Sequence, residues 1–98
     1  MSETAIRLLR IRGRVQGVGY RAFLCDAAAA LGLSGWTRNR ADGSVEALIV
    51  GEAQAMALLI GSLRRGPPGA KVTAIDMAEP TPETPGARSG DFRVLPTL

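Results

Sequence analysis

Two spacings of apolar residues alternate along the chain. In AIRLLRIRGRV (5–15), apolar side chains and arginines change places roughly every second residue, with a break where Leu8 and Leu9 adjoin. That rhythm and the β-branched content predict a strand. YRAFLCDAAAALG (20–32) is rich in alanine and leucine, which favour helix, and Gly32 is placed to end it. Phe23, Ala27, Ala30 and Leu31 fall on one helical face, which Tyr20 and Leu24 widen. SGWTRNR (34–40) reads as a short strand, and Asp42-Gly43 as a tight hairpin turn. SVEALIV (44–50) is apolar on both faces, which predicts a central strand. EAQAMALLIGSLRR (52–65) returns to helical spacing, with Ala53, Met56, Ala57, Ile60 and Leu63 as its stripe, and GPPG stops it. KVTAIDMAE (71–79) reads as a strand, the proline-rich 80–90 as a loop, and DFRVL (91–95) as a last short strand.

The order is β-α-β-β-α-β with an additional short C-terminal strand. This predicts an α+β fold, a ferredoxin-like α/β sandwich of one sheet against two helices. Right-handed crossovers set its first and third strands side by side in the middle. The 98 residues fit one domain, 1–98.

Composition narrows the chemistry. With no histidine, imidazole base catalysis and histidine-ligated metal are excluded. The one cysteine, Cys25, forms no internal disulfide and sits within a predicted helix without a base partner, so it reads as a packed thiol. The start, MSETAIRLLRIR, is too short and too charged in its apolar part for a signal peptide or membrane span, and a cytoplasmic protein without membrane association is expected. Net charge is +3 but uneven: residues 1–40 hold seven arginines against Glu3 and Asp26, while 41–98 are slightly acidic. A positive field at one end suits a small anion or nucleic acid.

Within that basic half lies VQGVGYR (15–21). Gly17 and Gly19 stand between the first strand and the first helix, where glycine lets successive amides turn into a concave anion nest. The helix adds free N–H groups and the positive end of its dipole. Arg21 lies in the first turn, where a cation costs roughly 0.3–1 kcal/mol against that dipole. A bound dianion would offset the cost, and the fork of guanidinium donors matches phosphate or carboxylate oxygens. A glycine turn beside a solvated arginine accounts for the same residues. The glycine spacing fits neither a nucleotide P-loop nor a dinucleotide fingerprint. Asn39 is a poor strand residue near a strand end. It serves the adjoining turn, or presents its amide to a water molecule.

Taken together, GRVQGVGYR (13–21), GLSGWTRN (32–39), DGSVEALIVG (42–51) and GPPGAKV (66–72) resemble the acylphosphatase family over nearly all of residues 6–95. The resemblance implies the ferredoxin-like fold already reached from the element order. It implies hydrolysis of the carboxyl–phosphate bond of acyl phosphates to a carboxylate and inorganic phosphate, without cofactor, metal or covalent phosphoenzyme. By that resemblance Arg21 and Asn39 are catalytic, and Gln16, Gly17, Val18, Gly19, Tyr20 and Arg21 cradle the phosphate. Tyr20 stands where many members have phenylalanine, so its hydroxyl is either solvated or needs a partner. Thr37 replaces a common valine. The expected partner is a small acyl phosphate, acted on by a monomer with no obligate nucleic acid.

The alternative is a non-catalytic RNA- or small-anion-binding module on the same fold. RNA-recognition domains share the element order but stack bases on exposed sheet aromatics. This chain has only Tyr20, Phe23, Trp36 and Phe92, two of them in the first helix and none in the third strand. Arg7, Arg10, Arg12 and Arg14 read as a solvated basic strand edge, and Trp36 as core.

Overall fold

The computed structural model describes residues 3–98; Met1 and Ser2 of the expected domain lie outside the described residues. The elements are β1 (Thr4–Arg14), α1 (Tyr20–Ala30), β2 (Ser34–Asn39), β3 (Val45–Glu52), α2 (Ala53–Arg65), β4 (Lys71–Ala78) and β5 (Phe92–Val94). They form a five-stranded sheet in the order β4-β1-β3-β2-β5, antiparallel except for the β2–β5 pair. The ferredoxin-like arrangement is therefore present, with β1 beside β3 and β5 added at one edge. None of the described helices is long and apolar enough to cross a membrane.

Strand alternation sorts side chains between two faces. Leu9 and Ile11 of β1 and Val45, Ala47 and Ile49 of β3 point toward the helices, where all five are fully buried. Helix α1 meets them with Tyr20, Leu24 and Ala28, and α2 with Met56, Leu59 and Leu63. Both stripes differ from the sequence expectation. Ala30, Ala53 and Ala57 are exposed, while Phe23, Ala27, Leu31 and Ile60 are only partly buried. Alanine is small enough for either side of a helix, so a stripe weighted by alanines is rotated relative to the larger Leu24, Leu59 and Leu63, whose burial gains more.

Tyr20 resolves the question raised by its hydroxyl. The ring is 2% exposed, and the hydroxyl donates to the Leu63 carbonyl at 2.6 Å. Leu63 lies in the last turn of α2, where carbonyls lack intrahelical donors. The Gly66 amide is already given to Ser62, and Pro67 has no N–H to give. The tyrosine supplies the missing donor and joins the start of α1 to the end of α2. Burial raises the phenol well above its ordinary pKa, so it remains a donor throughout the physiological range.

The other sheet face is covered by charge and by the 80–90 loop. Trp36 is fully buried there, with Nε1 donating to the Pro85 carbonyl at 2.8 Å and the Arg38 guanidinium 4.7 Å from its ring centroid. Glu46, 7% exposed, pairs with Arg38 at 2.7 Å, Arg40 at 3.2 Å and Arg10 at 3.6 Å. Arg12 pairs with Asp76 at 2.8 Å. Arg10 and Arg12 are thus committed partners on an interior strand, not a solvated basic edge.

Removing the Tyr20 hydroxyl by Tyr20→Phe leaves the Leu63 carbonyl unpaired in the core. The expected loss is about 1–2 kcal/mol. In a domain of this size that lowers the unfolding midpoint by roughly 4–16 °C. Thermal denaturation checks this; an unchanged midpoint would show that the bond contributes nothing.

Candidate active site

The site forms where the sheet ends and α1 begins. Gly17 and Gly19 take left-handed backbone angles, φ 76° and 77°, which are strained for any residue with a Cβ. Gly19 is the N-cap of α1 and has no side chain to cap the helix, and the first turn carries no acid. The amides of Gly17, Val18 and Gly19 have no acceptor among the described residues. Those of the first helical turn lack intrahelical partners by geometry. The result is a row of free N–H donors at the positive end of a helix, the arrangement that binds anions.

These residues border a cavity of about 350 Å³ lined by Gln16, Gly17, Gly19, Arg21, Asn39 and Val94, with Val15, Tyr20 and Ala22 completing its wall. Arg21 forms no ion pair or side-chain hydrogen bond with any described residue. Asn39, at the end of β2, contributes from the opposite side. Its Oδ1 is buried and without a hydrogen-bond partner in the described chain. An orphaned buried acceptor costs roughly 1–3 kcal/mol, which a donor entering the cavity would recover.

Five of the six residues expected in the phosphate cradle, Arg21 among them, are thus gathered with Asn39 at one cavity; Val18 does not line it. Val18 lies instead beside Gly69 in the turn after α2, and Gly66 of that turn abuts the Tyr20 ring so closely that an added Cβ would come within 3.0 Å. The Tyr20 side chain faces the core, leaving its backbone to the cavity. The Gln16 side chain is also committed: Nε2 donates to the carbonyls of Arg40 and Ser44, each at 2.9 Å. It pins the glycine loop to the β2–β3 hairpin and so fixes the distance between loop and Asn39. Ala22 and Val94 were not anticipated. Helical spacing flags Ala22 only as one alanine among many, and nothing in the local sequence says that β5 joins β2 in parallel.

The hairpin is rigid for local reasons. Asp42 Oδ1 accepts from the Ser44 amide at 2.9 Å and from its hydroxyl at 2.6 Å, closing the turn as expected of an Asp-Gly pair. These bonds, with Arg10 and Arg12 nearby, hold the Asp42 carboxyl down at about 2. Cys25 is half-buried, and burial together with Asp26 raises its thiol above the usual value, the opposite of what activates a thiolate.

A ferredoxin-like sheet with a glycine-lined, arginine-bearing cavity at the head of its first helix defines a small α+β domain with an anion-suited cradle. The comparisons narrow this class. The acylphosphatase family model matches residues 8–94. A relative named acylphosphatase from Azoarcus sp. (strain BH72) is 54% identical, covering 98% of this chain and 94% of its own. Another, from Rhodopseudomonas palustris (strain BisB18), is 50% identical over 98% and 99% of the two chains. Among solved structures, the crystal structure of acylphosphatase from Bacillus subtilis superposes with a TM-score of 0.82 at 33% identity, covering 95% of this chain and 99% of that one. The chain belongs to the acylphosphatase family.

The alternative of an RNA-binding sheet is not favoured. Trp36, the sheet aromatic that could stack a base, is sealed under the 80–90 loop.

Because Asp42 is depressed in the folded state, from an ordinary carboxylate value near 4 to about 2, its contribution to stability is complete above that ordinary value. It is lost as pH falls through about 2. Asp42→Asn keeps an acceptor for Ser44 but removes the charge. Urea midpoints measured from pH 5 down to 2 should therefore fall more steeply in the wild type than in the variant; parallel curves would refute the assignment.

Proposed function

We propose that the cavity at the head of α1 is where this chain hydrolyses the carboxyl–phosphate bond of acyl phosphates, releasing a carboxylate and inorganic phosphate. The observation that carries this reading is the convergence of an unpaired Arg21, free loop amides and the orphaned Asn39 Oδ1 on one cavity. The terminal phosphoryl group lies in the loop 16–21. Backbone N–H groups and the Arg21 fork hold its nonbridging oxygens. Asn39 Oδ1 accepts a hydrogen bond from a water molecule and aims it in line with the leaving acyl oxygen.

The leaving group is a carboxylate, a weak base that departs without protonation, so no histidine is needed. Phosphoryl transfer passes through a loose transition state in which the nucleophile is scarcely bonded, and a strong general base matters little. Positioning and preorganised donors carry the rate. The water's proton passes to a phosphate oxygen of the substrate. Each group in this scheme comes from one chain, which supports action as a monomer on a small molecule without nucleic acid.

Arg21→Ala should lower kcat about 100-fold or more and raise KM for benzoyl phosphate. Arg21→Lys should recover little, since an ammonium lacks the planar fork. Asn39→Ala should lower kcat to a similar degree while inhibition by inorganic phosphate persists. Wild-type turnover should survive added chelator. Normal turnover in both alanine variants would remove these roles.

A further inference from the structure

Beyond the end of β5 the chain runs on beside β2, with Pro96, Thr97 and Leu98 exposed. The Leu98 side chain is 61% open to solvent, so its burial does little to hold the segment. Backbone hydrogen bonds hold it instead. The Leu95 amide donates to the Thr37 carbonyl at 2.9 Å, continuing the parallel β2–β5 pair. Pro96 has no N–H to offer. The Leu98 amide then donates to the Asn39 carbonyl at 3.1 Å, and the Ala41 amide donates to the Leu98 carbonyl at 3.0 Å.

Strand β3, on the other side of β2, cannot replace these bonds. Antiparallel neighbours exchange backbone hydrogen bonds only at alternate pairs. The Arg40 amide donates to the Ser44 carbonyl at 2.9 Å, so Arg40 and Arg38 turn their backbone groups toward β3. Asn39, between them, turns its own away. Among the described residues, Leu98 is the donor that its carbonyl receives. The two bonds of Leu98 straddle Arg40 and tie residues 39 and 41 to one point. They fix the peptide that follows Asn39, and with it the direction in which the side chain leaves the strand. The side-chain oxygen has no anchor of its own: Oδ1 is buried and without a hydrogen-bond partner in the described chain.

We infer that Leu98 is a positioning residue for Asn39. Its backbone, not its side chain, holds the asparagine where Oδ1 can aim the attacking water. This rests on the hydrolysis proposed above, and it gives the segment after β5 a part in that reaction.

The test uses two variants of the full chain. Leu98→Pro removes the N–H that reaches Asn39 and keeps the length. A chain shortened to end at Leu95 removes both Leu98 bonds and keeps the one to Thr37; it serves if the proline variant unfolds. Each should lower kcat for benzoyl phosphate about tenfold, the scale of a small misplacement of a reacting group. Inhibition by inorganic phosphate should stay within about threefold, because the loop 16–21 that holds the anion is untouched. In an Asn39→Ala background the same changes should cost less than about twofold more, since residues acting as one unit are not additive. Nitrogen–proton correlation spectra should show the Asn39 side-chain amide shifted in both variants. Normal kcat in the folded variants, a full tenfold loss persisting without Asn39, or phosphate inhibition lost in step with kcat would each overturn the inference. A wild type that never turns over benzoyl phosphate, with the Asn39 amide still shifted in the variants, sinks the hydrolytic reading and leaves the placement of Asn39 by Leu98 standing.

Discussion

The register of the central strands governs this site. Ile75, Ile11, Val45 and Asn39 lie in one row across β4, β1, β3 and β2. The row is anchored by Ile11 and Val45, both fully buried beneath the helices. Side chains alternate between faces, so sliding β2 by one residue would carry Asn39 to the opposite face, away from the glycine loop. Burial of a few aliphatic side chains therefore decides whether the asparagine and the arginine share a cavity. Gln16 then fixes the loop against the hairpin at that end of the sheet.

Electrostatics divides the molecule along the same sheet. The first 40 residues are strongly basic, yet most of that charge is neutralised on the face opposite the helices. Glu46 alone meets three guanidinium groups there. Arg21, by contrast, has no carboxylate to hold it. With Arg10, Arg12, Arg38 and Arg40 paired, Arg21 is the unspent cation that borders the cavity among the described residues. The network also accounts for the burial of Glu46, whose charge is met by its three guanidinium partners.

Much of this architecture was legible before any coordinates. Element order followed from hydrophobic spacing, and the doubly apolar 44–50 stretch announced its central place. Gly17, Gly19 and Arg21 suggested an anion site on local chemistry alone. Asn39 was ambiguous until the family resemblance singled it out, because an asparagine beside a turn has an adequate local explanation. What stayed hidden depends on distant parts of the chain. The helical stripes were misjudged where alanine fits either environment. The cover over Trp36 comes from Pro85, a partner that no local pattern could name. Val94 reached the cavity only through parallel pairing of β5 with β2. The Tyr20 hydroxyl found its acceptor in Leu63, at the end of the other helix.

The turn at residues 66–69 lines no part of the cavity and contributes no chemistry. Gly66 nonetheless lies against the Tyr20 ring, and Gly69 against Val18. This surface bend is the back wall of the anion cradle. Surface loops ordinarily tolerate changes in length. Here an added residue would press on the loop from behind and displace its amides, so the bend is held to a fixed length by chemistry that happens on its far side.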